Sequence, residues 1–181
     1  MRKLNVMIEA ERPPVPRPDW KYCDSIGRPR ALIDWVLEHT RKGTPNDELG
    51  PVFWELVRDW WSTFDLVEHD MFCVAFNRFK PYWKPQPELK DLPERITVWR
   101  GGDRYRVRKG LSWTMDRSVA ESFARGHRFI FNKYPTLLMA DIDRSEVALV
   151  DSSRNESELI LWGPLLKRAT RVPYTPPSLW D

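Results

Sequence analysis

Two glutamates, Glu156 and Glu158, stand two positions apart where a polar stretch gives way to an apolar run. Residues 151–155 have the Asp/Ser/Asn composition of a loop, and residues 159–162 have the length and apolar character of a strand. In an extended chain this spacing turns both carboxylates to one face. One acid can then stabilise positive charge that develops at an anomeric carbon, while the second orients or deprotonates a nucleophile. A solvated loop with two surface glutamates is the alternative interpretation of the same pattern.

An arginine and a pair of hydroxyl groups precede these acids on two further predicted strands. Arg100 follows the apolar run 96–99 and precedes two glycines, and its planar guanidinium can bind a diphosphate through two parallel hydrogen bonds. Ser112 and Thr114 share one face of a short strand over 110–114, where their hydroxyls can fix a neighbouring acid or a ribose. With the two acids, these are the groups that cleavage of a nucleotide's glycosidic bond requires. The alternatives are a surface arginine in a turn and two ordinary strand hydroxyls.

The second half of the chain has the pattern of short strands with one helix among them. Asp116 predicts the cap of a helix that begins near Arg117 and ends at Gly126. The apolar runs bounded by turn residues predict strands at 96–99, 110–114, 129–132, 137–141, 147–150, 159–162 and within 166–172.

The segment that follows Arg100 carries a glycine pair and alternating arginines. The pair predicts a tight turn, because glycine tolerates the backbone conformations that turns need. The arginines share one face if the segment is extended. A basic strand is therefore predicted, formed by Arg104, Arg106 and Arg108.

The first half of the chain predicts helices behind an irregular arm. The arm, residues 1–29, holds four prolines between positions 13 and 18, which prevents a regular helix or a central strand. Apolar stripes at helical spacing then indicate three helices. A proline-rich segment, residues 81–95, is typical of a linker. We therefore divide the chain into an arm and helical part, 1–95, and a β-rich part, 96–181, packed together as one compact unit.

Four residues of the helical part have side chains that could take part in chemistry. His69 and Asp70 are adjacent, but no neighbouring residue supports a metal site or a catalytic pair, so we interpret them as surface residues of the third helix. Trp60 and Trp61 lie on an apolar stripe and are expected in the core rather than as a stacking platform for bases. These residues therefore give the helical part no predicted chemistry.

The composition is that of a globular protein with a sizeable core. The 181 residues are 41% hydrophobic, which suits one domain with or without an appended subdomain. The net charge of +3 is too small to indicate nucleic acid by itself, although residues 96–181 carry a net +4. Cys23 and Cys73 are far apart and are expected as free thiols. No run of 18 apolar residues and no signal peptide are present, which predicts a soluble intracellular protein.

Taken together, the segments around the candidate residues resemble the ADP-ribosyltransferase superfamily, in its Arg-Ser-Glu or cholera-toxin-like branch. Val98-Trp99-Arg100-Gly101 is similar to the first-strand arginine motif, and Leu111-Ser112-Trp113-Thr114 to the Ser-Thr-Ser strand. Residues 116–124 resemble the helix that follows it, and Glu156-Ser157-Glu158-Leu159-Ile160 resembles the Glu-x-Glu motif. The resemblance covers residues 96–172. It implies an α+β fold in which the helical N-terminal part packs on a split β-sandwich.

The resemblance also implies roles for single residues. Glu158 would be the catalytic glutamate, and Glu156 would lie in the substrate-facing loop and serve the acceptor. Trp113 stands where the family has a small hydroxylated residue, and it either packs over the nicotinamide or fills the core. Arg100 would contact the phosphates or a ribose of NAD, and Ser112 would support NAD and Glu158. The NAD site would thus be formed by Arg100, Gly101, Ser112, Trp113 and Thr114.

The function that the resemblance implies is mono-ADP-ribosylation, with NAD as co-substrate and without a metal. The acceptor would be a macromolecule, with protein arginine favoured and a nucleic-acid base open. A bacterial or phage effector or toxin is expected, active in the cytoplasm of the producer or of a target cell, away from membranes and with a neutralising antitoxin as a candidate partner. Two alternatives remain: an NAD glycohydrolase, and a non-catalytic module that holds nucleic acid or a protein through its basic strand.

Overall fold

Three amphipathic helices precede the strands. The computed structural model describes residues 14–20, 23–127, 130–152 and 157–174. Helix α1 spans Gly27–Arg41, α2 spans Asn46–Trp60 and α3 spans His69–Phe79. The three predicted helices are thereby confirmed, although α1 begins inside the segment expected to be irregular. Gly43, with a φ of 75°, supplies the left-handed residue that ends α1.

The strands form one antiparallel sheet and a separate hairpin, so the chain is α+β. Along the chain come β1 (Arg95–Asp103), β2 (Ser112–Thr114), α4 (Arg117–Arg125), β3 (Gly126–His127), β4 (Ile130–Phe131), β5 (Pro135–Asp143), β6 (Val147–Asp151), β7 (Glu158–Leu161) and β8 (Thr170–Val172). The large sheet has the order β6-β7-β2-β1-β5-β8, and β3 pairs with β4. The sequence predicts a split β-sandwich, whereas the described strands form this six-stranded sheet and one two-stranded hairpin.

Both faces of the sheet are buried around β7. Ile160 belongs to a core cluster that it shares with the helices, and Leu159 and Leu161 belong to a second cluster on the other face. This alternation follows from the two-residue period of a strand. The first cluster also takes Ala148 and Leu149 from β6 and Leu111 from directly before β2, so the helices rest on the edge of the sheet at β6, β7 and the start of β2.

The proline-rich segment 81–95 is packed against the sheet and is not a linker. Its side chains satisfy the backbone of the edge strand β6: the Trp83 indole donates to the Ala148 carbonyl across 2.9 Å, and the Val150 N–H donates to Gln86 Oε1 across 2.8 Å. Leu89 in the same segment is buried. The prolines shape short 3-10 turns that bring these side chains to an otherwise open sheet edge.

The glycine pair after Arg100 does not form the predicted turn. Strand β1 continues through both glycines and pairs with β5 from Arg95 to Asp103. A Cβ on Gly101 would lie 1.7 Å from the Ala120 carbonyl oxygen of α4. The glycine therefore allows a helix to cross the strand at close range, which is its second common use besides a turn.

The predicted basic strand is absent from the structure described here. Residues 104–106 form a turn, and Val107–Lys109 form a 3-10 turn. Arg108 donates to the carbonyls of Leu166 and Ala169, at 3.2 and 2.7 Å. Its side chain thus ties this turn to the segment before β8, so the three arginines do not present a common face.

Candidate functional site

The functional residues expected on three segments meet on three neighbouring strands. Arg100 lies on β1, Ser112 on β2 and Glu158 on β7, which are adjacent in the sheet. The Ser112 hydroxyl donates to Glu158 Oε1, and Arg100 Nη1 donates to the Ser112 carbonyl oxygen. Arg100 and Glu158 therefore both bond to Ser112, the arginine at its backbone carbonyl and the glutamate at its hydroxyl.

Glu158 receives a second donor from the helical part of the chain. Trp61, in the 3-10 turn directly after α2, donates its indole N–H to Glu158 Oε1 across 3.2 Å. The Trp61 ring is buried in the helical core, where it contacts Phe72 edge-on. Because both donors reach the same oxygen and one is a rigid buried ring, the orientation of the carboxylate is fixed by its surroundings.

Arg100 holds the connection between β1 and β2. Its Nε donates to the Val107 carbonyl across 3.0 Å, in addition to the bond with Ser112. A Cβ on Gly110 would lie about 2 Å from the guanidinium, so only glycine leaves room for it there. Burial lowers the pKa of Arg100 to about 10, against the opposing effect of the Glu158 charge. The group is therefore cationic at neutral pH.

These groups line a cavity of about 1180 Å³ between the helical part and the sheet. Residues of the segment 61–70 form one wall, and the lining also includes residues of β1, β2, α4, the turn 105–109 and the segment 131–134, with Glu158 of β7. Ligand pockets commonly have about 300–1000 Å³. The cavity thus has room for a dinucleotide and for part of a second ligand.

His69 is a site residue that the sequence did not reveal. It begins α3, lines the cavity and accepts a hydrogen bond at Nδ1 from the Leu111 N–H, at 3.4 Å. Burial, and next the charge of Arg100, lower the pKa of His69 to about 3, while Asp70 opposes them. The imidazole is therefore neutral at physiological pH, and a neutral ring that accepts at Nδ1 carries its proton on Nε2. No spacing in the sequence relates His69 or Trp61 to the strands that they meet.

The remaining predicted site residues differ in what they contact. Thr114 is buried, and its Oγ1 accepts from the Asp116 N–H across 3.0 Å at the entry to α4. Trp113 is 1% exposed, packs in the second core cluster with its indole donating to the Gly110 carbonyl, and also lines the cavity. Gly101 lines the cavity beneath α4. Glu156 lies outside the described residues.

The described part of the chain contains no group of three or more His, Cys, Asp or Glu side chains that could hold a metal ion. Among the helices that the structure describes, none combines the length and the apolar character needed to cross a membrane. The chain matches no known family model, no curated protein and no solved structure with which it was compared.

Proposed function

We propose that this protein is an ADP-ribosyltransferase that cleaves NAD between nicotinamide and ribose and transfers ADP-ribose to a macromolecule. The observation that carries the proposal is that Arg100 and Glu158 both bond to Ser112 and that all three line a cavity of dinucleotide size. These three residues come from three of the four segments that resemble the superfamily.

The strand order supports assignment to the ADP-ribosyltransferase type of α+β fold. In the order β6-β7-β2-β1-β5-β8, the strands with the arginine, the serine and the glutamate are contiguous. Helix α4 follows the serine strand and crosses β1 at Gly101, which packs the helix beside the arginine. The segments of the resemblance therefore form one side of one cavity, as a common nucleotide site requires.

Each group has a defined task in the proposed reaction. The Glu158 carboxylate stabilises the positive charge that develops on the ribose as its bond to nicotinamide breaks. Nicotinamide leaves with the electron pair of that bond, and a nucleophilic atom of the acceptor bonds to the same carbon and gives up its proton to a carboxylate. Ser112 and Trp61 hold Glu158 in the orientation that this step needs.

Arg100 and His69 would serve the nucleotide. Arg100 already uses two N–H groups on backbone carbonyls, and its remaining donors and its fixed charge suit the phosphates of NAD. His69 is neutral and presents a donor without a charge, which suits a hydroxyl or carbonyl oxygen of the ligand.

Purified protein incubated with NAD tests the proposal directly. We expect release of nicotinamide, measured by chromatography, and transfer of label from adenylate-labelled NAD to a macromolecule when a cell lysate is added. Digestion of the labelled product with protease or nuclease then identifies the acceptor class. Nicotinamide release without any labelled macromolecule would indicate a glycohydrolase instead. Absence of release with or without lysate would reject the enzymatic proposal.

A further inference from the structure

Three exposed aromatic rings stand at the mouth of the cavity. Tyr105 is 68% exposed, Phe131 85% and Tyr134 41%, and all three line the cavity. Large apolar rings are costly to leave in water, and a group of them beside a pocket marks a contact surface more often than an accident of folding. None of the three is needed for the hydrogen bonds that join Arg100 and Glu158 to Ser112.

The two tyrosines are held in place although their rings face solvent. The Asp103 carboxylate accepts the backbone N–H of Tyr105 and that of Tyr134, each across 3.0 Å. These two N–H groups hold the pKa of Asp103 below its usual range. The rings meet edge-on with centroids 5.6 Å apart. Asp103 therefore fixes the pair as a preformed surface, which lowers the ordering cost of binding.

Cations surround these rings. The Arg104 guanidinium lies 5.3 Å from the centroid of Tyr105 and 5.5 Å from that of Tyr134, and Lys133 Nζ lies 5.4 Å from the latter. Arg106 also lines the cavity. We call this surface the cationic aromatic rim, and it comprises Arg104, Tyr105, Arg106, Phe131, Lys133 and Tyr134.

The acids of the opposite wall are engaged in pairs. Asp65 accepts from the Ser25 hydroxyl, Glu68 pairs with Arg30 at 3.0 Å, and Asp70 pairs with Lys109 at 3.4 Å. Arg30 and Lys109 offset part of the charge of Glu68 and Asp70, whereas the hydrogen bond from the neutral Ser25 hydroxyl leaves the charge of Asp65 in place. At the rim itself three cations, Arg104, Arg106 and Lys133, stand beside the one carboxylate that holds the tyrosines, Asp103. The rim therefore attracts an anionic ligand, and it repels a protein segment that presents arginine as the acceptor.

We propose that the cationic aromatic rim binds single-stranded nucleic acid and directs one of its bases to Glu158. Aromatic faces on which bases stack, interleaved with cations that meet phosphates, are the recognition surface for unpaired strands. Duplex bases are closed off by stacking on each other, so the rings favour single strands. The cavity is larger than a common ligand pocket, which leaves room for a base beside NAD.

This inference rests on the proposed function for its transfer step alone. A nitrogen of the base bonds to the anomeric carbon as the bond to nicotinamide breaks. Nicotinamide leaves with the electron pair, and the base nitrogen loses one proton to a carboxylate. Binding of the strand itself requires neither NAD nor turnover, so it can be measured separately.

The test is fluorescence anisotropy with a labelled single strand of about twelve nucleotides, within the usual site sizes. A DNA strand, an RNA strand of the same sequence and the DNA duplex are titrated against the full chain without NAD. We expect at least one of the two single strands, DNA or RNA, to bind more tightly than the duplex. Tyr105→Ala and Tyr134→Ala should each weaken binding of the strand by about tenfold, and by more than they weaken binding of NAD.

The cations and a matched control complete the design. Arg104→Ala and Lys133→Ala should each reduce the slope of log affinity against log salt by about 0.7 for a phosphate contact. Arg171→Ala removes an exposed cation from β8, away from the cavity, and should leave affinity and slope unchanged. Melting temperatures of the variants verify that each folds.

Several outcomes would overturn the inference. Failure to bind single strands, equal binding of duplex, or tyrosine variants with unchanged affinity would each reject the rim as a strand site. An equal loss of NAD affinity in the tyrosine variants would assign the rings to the nucleotide. Label transferred from NAD to protein, and resistant to nuclease, would reject nucleic acid as the acceptor. Strand binding without any nicotinamide release would instead reject the proposed enzyme and keep the rim as a binding surface.

Discussion

Replacement of Glu158 by glutamine separates catalysis from structure at the centre of the site. Glutamine has nearly the same shape as glutamate but no charge. Among the described residues, the Ser112 hydroxyl and the Trp61 indole donate to this side chain, and they reach the same oxygen, Oε1. A glutamine can keep its carbonyl oxygen at that point, so both hydrogen bonds can persist in Glu158→Gln.

Glu158→Gln should change the turnover rate far more than the stability of the fold. A hydrogen bond to a charged group is worth about 1 kcal/mol more than a neutral one, so two of them lower the free energy of unfolding by about 2 kcal/mol at most. Removal of an electrostatic group that faces the developing charge costs about 10²–10³-fold in turnover, or roughly 3–4 kcal/mol. Turnover should therefore fall far more than the stability of the fold, and NAD affinity should change little.

The assay measures nicotinamide release at saturating NAD, with NAD affinity from titration and stability from urea unfolding. Glu88→Gln is the matched control, because it makes the same chemical change at an exposed position outside the cavity. It should leave all three quantities at wild-type values. A folded Glu158→Gln protein that releases nicotinamide at a rate within a few-fold of wild type would refute the catalytic role of Glu158.

Three further substitutions, at Arg100, Gly101 and His69, have defined outcomes, and Gly102→Ala is the control for the second. Arg100→Lys should weaken NAD binding and lower the unfolding free energy by about 1–3 kcal/mol, because a lysine cannot bond to the carbonyls of Val107 and Ser112 and also to a phosphate. Unchanged NAD affinity by titration would show that Arg100 has a structural role only. Gly101→Ala should lower the free energy of unfolding, measured in urea, by about 3 kcal/mol or more, because its Cβ would overlap the Ala120 carbonyl. Gly102→Ala is the control and should be tolerated, since the nearest atom to its Cβ would lie at 3.5 Å. His69 has a pKa near 6.5 in the unfolded chain but about 3 in the folded chain, so lowering the pH below 6.5 favours unfolding. The loss of unfolding free energy between pH 7 and pH 5 should therefore be about 1–2 kcal/mol smaller in His69→Gln than in the wild type. Equal pH dependence of the wild type and His69→Gln would contradict the lowered pKa.

Local chemistry explains which elements could be predicted from the sequence. Helix α4 begins and ends as expected, because its cap and its stop are properties of single residues. The Asp116 side chain accepts the Ser118 N–H across 2.7 Å, and Gly126 follows the last turn with a φ of 135°. The strand positions follow in the same way from alternation and turn residues, and β1, β2, β5, β6, β7 and β8 all lie where strands were predicted.

The wrong predictions concern residues whose role is set by contacts with a distant part of the chain. Gly101 was expected in a turn, but its role is set by a helix about twenty residues later. The segment 81–95 has a linker composition, but Trp83 and Gln86 bond to a strand more than sixty residues away. His69 was expected at the surface because nothing near it in sequence marks the cavity. Such contacts depend on the assembled fold, and a single sequence carries no local signal for them.

The helical part is therefore involved in the site and is more than a cover for the sheet. It supplies Trp61 as a donor to Glu158 and His69 as a neighbour of Arg100. It also covers the sheet residues Ala148 and Ile160 in the first core cluster, which would otherwise face water. Both the orientation of the carboxylate and the closure of the cavity thus need residues from each side of position 95. The sequence pattern changes from helices to strands near position 95, but the chemistry that we propose needs residues from both parts.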